Sequence, residues 1–269
     1  MGWGVVSLTA LAIWGFVGAE FVCPLIEETK VPERNIPRAM IAGTSIIMVV
    51  YVVYCLGALL HVPTDILRSA PLPHLEYARA VFGEQGIVFL TIAAITATCS
   101  TVNTTLAAVP RMLYGMAHNG QTFAFFKTLH KTRNTPWVAI LFMAAVTGTP
   151  IFIFGDNADS ILLLLTGAAI SWLIAYVIAH INVIVLRKRL PNAPRPFKTP
   201  LYPLPQLLGI AGMIYAIFHA APSADLEDKV FLYAGTVLLI GCLISALWVK
   251  FVMKRGLFES ETFKHALED

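Results

Sequence analysis

Residues 12–24 read AIWGFVGAEFVCP and place two glycines, an acid and a proline inside an otherwise apolar stretch. Gly15 and Gly18 each cost a helix about 1 kcal/mol relative to alanine, and Pro24 costs about 3 kcal/mol. An ionised Glu20 adds a further cost within a bilayer. Irregular backbone is tolerated at membrane depth only where protein or a water-filled cavity satisfies its polar groups. The stretch therefore predicts a membrane helix with a functional break. The alternative is that the glycines permit close helix packing and that Glu20 extends to the membrane interface.

The composition supports a membrane protein. Of the 269 residues, 57% are hydrophobic and 13% are charged, whereas about 25% of a soluble domain is charged. The net charge of +3 is too small to indicate a nucleic acid as partner. The composition thus excludes an ordinary soluble enzyme, a disordered chain and a nucleic-acid-binding protein, and the expected environment is the lipid bilayer.

Seven stretches are interpreted as membrane-spanning helices, so the predicted fold class is an all-α membrane protein. Only the first stretch contains a carboxylate, an arginine or a lysine, and that residue is Glu20. The predicted spans are Val5–Ile26, Ala39–Leu60, Gly86–Pro110, Pro136–Phe154, Ser160–Leu186, Leu204–Ala221 and Val230–Val249.

The lysines and arginines between these spans predict the orientation. Connections on one side hold 16 of these residues, the C-terminal tail included, and connections on the other side hold 3. Because cytoplasmic loops are enriched in positive charge, the C-terminus is expected in the cytoplasm. Met1 then lies outside, without the basic start or cleavage site of a signal peptide. The simplest interpretation is the C-terminal part of a longer transporter that has an odd number of further spans.

Three motifs, in order along the chain, resemble the amino acid–polyamine–organocation (APC) superfamily of amino acid permeases. They lie at residues 14–39, 110–120 and 195–203. The first resembles the sixth helix of the family and the loop after it. The second resembles the inner end of the eighth helix, and the third resembles the loop between the tenth and eleventh helices. The resemblance implies helices six to twelve of a twelve-helix transporter whose core consists of two inverted five-helix repeats.

The resemblance also implies a domain organisation. Residues 1–187 would form the second five-helix repeat, with its first helix broken near residues 15–19. Residues 188–203 would form a cytoplasmic loop, residues 204–253 two additional helices, and residues 254–269 a cytoplasmic tail. The missing N-terminal five helices would be supplied in cis or as a separate chain.

In this family the substrate lies between the broken first and sixth helices. Free carbonyl groups at such a break suit an ammonium group, so the implied substrate is an amino acid or a related amine. Glu20 matches an acid implicated in gating or proton coupling in some members. The positions that match the substrate-binding part of the sixth helix are Trp14, Gly15, Phe16, Val17 and Gly18.

The third span carries a possible cation site. In sodium-coupled relatives of this fold the same helix donates hydroxyl groups to a cation, and the matching candidates are Thr101, Thr104 and Thr105. The favoured alternative is that these hydroxyls bond to the preceding turn and let helices approach closely. No catalytic residue, metal site or cofactor is expected, and the coupling ion, proton or sodium, is left open.

The expected function of the intact parent is secondary transport of amino acids or related amines across the bacterial inner membrane, with no enzymatic activity. One alternative is a non-transporting membrane fragment or a subunit of a split transporter. Another is a membrane-embedded enzyme, which is disfavoured because the spans offer one acid and two separated histidines, His180 and His219.

The predicted topology can be tested by cysteine labelling. Asn35→Cys and Asp156→Cys, each in a chain whose four native cysteines are replaced by serine, should react with a membrane-impermeant maleimide from opposite sides. We expect Asp156→Cys to label from outside, because its connection holds no lysine or arginine. Labelling of both positions from the outside would contradict the predicted orientation.

Overall fold

A computed structural model describes residues 12–13, 15–155, 157–221 and 224–259. These residues contain helices and no strand, which confirms the all-helical prediction. Short 3₁₀ segments lie at Ala19–Glu28 and Ala124–Lys127, and a π-helical turn lies at Trp248–Val252. The α-helices are α1 (Pro32–His61), α2 (Thr64–Ser69), α3 (Pro73–Phe82), α4 (Gln85–His118), α5 (Trp137–Phe154), α6 (Ala158–Arg189), α7 (Leu204–Phe218) and α8 (Ala224–Leu247).

Four helical stretches of the described residues are long and apolar enough to cross a membrane. The stretches Trp137–Pro150 and Leu204–Phe218 are apolar but shorter, and they coincide with the predicted fourth and sixth spans. Residues 5–11 and 14 of the first predicted span fall outside the described residues, so the count of seven stays a prediction. The four long stretches are Pro32–His61, Gln85–His118, Ser160–Arg189 and Leu226–Val252.

Helix α4 is longer than the apolar stretch that predicted it. The predicted third span ends at Pro110, whereas α4 continues for two further turns to His118. The apolar pattern marks how far a helix lies in lipid, and the backbone hydrogen bonding continues beyond that depth. Pro110 lies inside the helix and is itself buried.

The chain divides into two compact units, the first of which is Gly18–Arg111. In this unit α3 packs beside α1, and the ring of Tyr77 meets the ring of Tyr54 edge-on at a centroid distance of 5.2 Å. No residue of α1 is buried. An apolar helix with no buried residue is typical of an element whose partners are lipid or other membrane helices.

The second unit contains the described residues of Met1–Val17 and Met112–Asp269. Its main core forms where α6, α7 and α8 meet, and Ile13 packs against it. Half of the buried core residues are alanines, which let the helices approach closely. The buried members are Ile170, Leu173, Ala216, Ala220, Val230 and Ala234.

A smaller cluster in the same unit joins the end of α4 to α5. Phe126, in the 3₁₀ segment, is buried between Ala117 of α4 and Ala139 of α5. Trp248 donates its indole N–H to the carbonyl of Gly120 at 2.9 Å. These contacts order the connection that follows α4.

The contact of α6 with α8 depends on a glycine. An added Cβ at Gly167 would lie 2.7 Å from Cδ1 of Tyr233, whereas one at Gly235 would meet nothing within 4 Å. We expect Gly167→Ala to lower the free energy of unfolding by about 1–3 kcal/mol, the usual cost of overpacking. Gly235→Ala is the matched control and should be neutral or stabilising, because alanine is the better helix former. Thermal unfolding in detergent measures both, and equal stability of the two variants would contradict the close contact.

Candidate functional site

The predicted break in the first span coincides with a turn in the structure. Ala12 and Ile13 are helical, residues 15–18 form turns, and a 3₁₀ segment begins at Ala19. The amide of Gly15 donates to the carbonyl of Ala12 at 3.1 Å, and the amide of Phe16 donates to the carbonyl of Ile13 at 2.9 Å. The tighter hydrogen bonding of turns replaces the α-helical pattern here. Trp14 lies outside the described residues.

Gly18 has a backbone conformation that other residues rarely adopt. Its φ is +115°, and it immediately precedes the 3₁₀ segment. An added Cβ would meet no atom closer than 3.9 Å, so the requirement for glycine arises from the backbone and not from crowding. The carbonyl of Gly18 accepts a hydrogen bond from the amide of Phe21 at 3.1 Å. The direction of the chain after the turn therefore depends on this glycine.

The carboxylate of Glu20 folds back onto the turn. Its Oε2 accepts a hydrogen bond from the amide of Gly18 at 3.0 Å. The first amides of a helical segment lack partners within the segment, and an acid near this end also interacts favourably with their partial positive charge. Glu20 thus stabilises the backbone at this turn.

Four of the five residues assigned to the substrate by resemblance, Gly15, Phe16, Val17 and Gly18, are half-buried. Gly15, Phe16 and Val17 belong to one compact unit, and Gly18 begins the other. Their role in substrate binding stays a prediction.

The three candidate cation ligands lie on α4. The hydroxyls of Thr101, Thr104 and Thr105 each donate to the carbonyl four residues earlier, at 2.9–3.0 Å. This is the bonding that the packing alternative predicts. A donating hydroxyl keeps lone pairs on its oxygen, so the cation role also stays a prediction. In the described part of the chain no cluster of three or more histidines, cysteines and acids is arranged to hold a metal ion.

An ion pair that the sequence did not reveal joins two of the motifs. Arg111 Nη2 lies 2.6 Å from Glu28 Oε1, and its Nη1 donates to the carbonyl of Ala107 at 2.5 Å. Glu28 ends the 3₁₀ segment that follows the break, and Arg111 lies on α4, six residues beyond Thr105. The side chain of Glu28 is 60% exposed, so the pair contributes at most about 1 kcal/mol. Its effect is to hold the segment after the break against α4.

Comparison with known proteins gives a consistent picture. The chain matches the family model described as amino acid permease over residues 1–243. It is 30% identical over 223 residues to the serine/threonine exchanger SteT of Bacillus subtilis, covering 81% of this chain and 49% of the exchanger. It is 26% identical over 240 residues to the branched-chain amino acid permease BcaP of the same organism, covering 87% of this chain and 50% of the permease.

A third relative, the amino-acid permease RocE of Bacillus subtilis, is 26% identical over 246 residues, which cover 86% of this chain and 50% of that permease. The chain therefore spans about half the length of the curated relatives it matches. These relatives are named as transporters and not as enzymes.

Proposed function

The chain belongs to the amino acid permease family, and from that premise we propose that it forms the C-terminal half, helices six to twelve, of a secondary transporter for amino acids or related amines. The family and the long apolar helices make it an integral membrane protein. The order of the three motifs supports the assignment to the C-terminal half. The match to about half of each relative supports the proposal that a further set of helices completes the transporter.

The observation that carries the proposed mechanism is the hydrogen bond from the Gly18 amide to the Glu20 carboxylate. A discontinuous membrane helix exposes backbone groups that can bind a polar substrate, and alternating access exposes such a site to each side in turn. Residues 14–18 would contact the substrate, with carbonyl groups directed to its ammonium group. The first helices of the transporter would supply the rest of the site, in cis or as a separate chain.

Glu20 would couple this site to a proton. A hydrogen bond to an ionised carboxylate is roughly twice as strong as one between neutral groups. Protonation of Glu20 would therefore weaken the hydrogen bond from the Gly18 amide and destabilise the turn. The ion pair of Arg111 with Glu28 would keep the segment beyond the turn against α4 while this happens. Sodium coupling through Thr101, Thr104 and Thr105 is the competing mechanism.

The names of the relatives indicate which substrates to test first. Serine, threonine and the branched-chain amino acids, for which two relatives are named, all have neutral side chains. Glu20 is the only acid in the predicted spans, so a neutral side chain leaves it available for coupling.

Uptake into liposomes tests the half-transporter proposal. The purified chain alone should show no saturable uptake of serine, threonine or leucine, because only part of the site is present. Co-reconstitution with the part of the exchanger SteT that this chain does not match should produce saturable uptake that unlabelled substrate competes, and that part alone serves as the control. Saturable uptake by this chain alone would contradict the proposal. Absence of uptake by the combined chains would favour a non-transporting membrane module.

Glu20→Gln in the same combined transporter separates charge from hydrogen bonding. The glutamine oxygen can still accept a hydrogen bond from the Gly18 amide, so we expect normal membrane insertion. The carboxylate that would bind the proton is lost. Uptake should fall by about tenfold or more and lose its dependence on pH. The matched control is Glu33→Gln in the exposed first turn of α1, which should transport like the parent. Parental uptake by Glu20→Gln at every pH would refute a coupling role, and pH-dependent uptake that requires sodium would favour the competing mechanism.

A further inference from the structure

The second unit has two ends that its helices connect. Tyr233 of α8 packs over Gly167 of α6, and each lies in the first third of its helix, so α6 and α8 begin at one end and finish at the other. Where α8 finishes, Trp248 donates to the carbonyl of Gly120, in the connection that follows α4. The connection after α6, the connection after α4 and the tail after α8 therefore share one end.

Charge differs sharply between these two ends. From residue 112 onward, the connections and tail at the end of α6 carry twelve lysines and arginines and four acids in the sequence, whereas the other end carries one lysine and five acids. Among the described residues of the basic end the one acid is Glu259, whose Oε2 accepts a hydrogen bond from the amide of Gly256 at 2.9 Å. An anionic partner is favoured at this end.

The connection between α6 and α7 carries five of these cations and no acid. They lie within residues 187–198, and the sequence has no acid between Asp159 and Asp225. Helix α6 is long and apolar enough to cross a membrane, so the cations follow directly where it leaves the bilayer. Four to eight lysines and arginines beside a membrane helix are typical of segments that bind anionic lipids.

Arg195 folds this connection back onto the end of α6. Its Nη2 donates to the carbonyl of Leu190 at 2.6 Å and to that of Leu186 at 3.4 Å. The last carbonyls of a helix lack partners within the helix, and a cation interacts favourably with their partial negative charge. Arg195 is therefore engaged by the protein itself.

Arg187 orders the same connection from its other side, because its guanidinium carbon lies 4.1 Å from the centroid of the Tyr202 ring. The three remaining cations, Lys188, Arg189 and Lys198, are exposed, and none forms an ion pair with a described residue. Lys198 follows Arg195 by three residues, so their backbones are at most about 11 Å apart. We call Lys188, Arg189 and Lys198 the basic surface.

Apolar side chains flank the basic surface. Phe197 and Leu201 lie on either side of Lys198 in the sequence and are 47% and 78% exposed. Cations beside exposed apolar residues are typical of segments at the boundary of headgroups and acyl chains, where the apolar residues enter the lipid and the cations attract its phosphates.

We propose that the basic surface binds the phosphate of an anionic phospholipid in the leaflet at the end of α6, which is the cytoplasmic leaflet in the predicted orientation. Phe197 and Leu201 lie at the boundary of its acyl chains. Because Arg187 and Arg195 already order the connection, binding immobilises three side chains and not a whole loop. The proposal stands whether or not the chain completes a transporter.

Native mass spectrometry of the purified full chain, titrated with dioleoyl phosphatidylglycerol or dioleoyl phosphatidylcholine, tests this proposal. The two lipids have the same acyl chains, and only the first has a net charge. We expect the parent to bind phosphatidylglycerol about tenfold more tightly. The combined variant Lys188→Gln, Arg189→Gln and Lys198→Gln should raise the Kd for phosphatidylglycerol by about tenfold or more, to that for phosphatidylcholine.

Two controls separate the site from total charge and from misfolding. One removes three exposed cations that have acids nearby in the sequence, through Arg68→Gln, Arg79→Gln and Lys229→Gln, and should bind like the parent. The other retains every charge, through Lys188→Arg, Arg189→Lys and Lys198→Arg, and should also bind like the parent. Thermal unfolding without lipid checks that each protein is folded.

Equal affinity of the parent for the two lipids would overturn the proposal, as would equal losses in the two glutamine variants. Weak binding by the charge-retaining variant would show that the charges do not carry the affinity. Release of phosphatidylglycerol by inorganic phosphate would show that the surface binds a free anion and not a lipid.

Discussion

Backbone hydrogen bonding in a medium without water is the constraint on which this structure depends. A bilayer offers no partners for unpaired amides and carbonyls, so a spanning segment must satisfy them itself. The long helices do so, and the hydroxyls along them, such as those of Thr101 and Thr166, donate to carbonyls of their own helix. Residues 15–18 form turns instead, and the carboxylate of Glu20 accepts a hydrogen bond from the amide of Gly18. Here a side chain satisfies a backbone polar group that an α-helix would satisfy with its own backbone.

The two units are stabilised differently. The unit that contains α6, α7 and α8 has a buried core in which alanines and Gly167 let helices and rings approach closely. The unit Gly18–Arg111 has no buried residue on its longest helix, α1, and its segment after the break is held by the exposed pair of Glu28 with Arg111. Few buried contacts and a weak ion pair are typical of elements that rearrange during function.

Sequence alone predicted an all-helical membrane protein, because mean apolarity over about twenty residues is a local property. Four of its seven predicted spans are long apolar helices among the described residues, and three motifs indicated the family. The functional break near residues 15–19 stays a prediction, and the described residues 15–18 form turns. Sequence did not reveal the ion pair of Glu28 with Arg111, since 83 residues separate the two and no periodic pattern links them. The packing of Tyr233 over Gly167 was missed for the same reason. The end of α4 at His118 was missed because Arg111 interrupts the apolar run, whereas the helix continues past it.

The hydrogen bond between Gly18 and Glu20 spans only two residues, which makes the Gly18 amide a spectroscopic reporter of the charge on its neighbour. The chemical shift of an amide proton depends on the electron density of its acceptor, and here the acceptor oxygen belongs to a titratable group. Glycine resonances occupy an uncrowded region of a nitrogen–proton correlation spectrum. One labelled residue type would therefore follow protonation within the membrane without a probe, a substrate or a mutation.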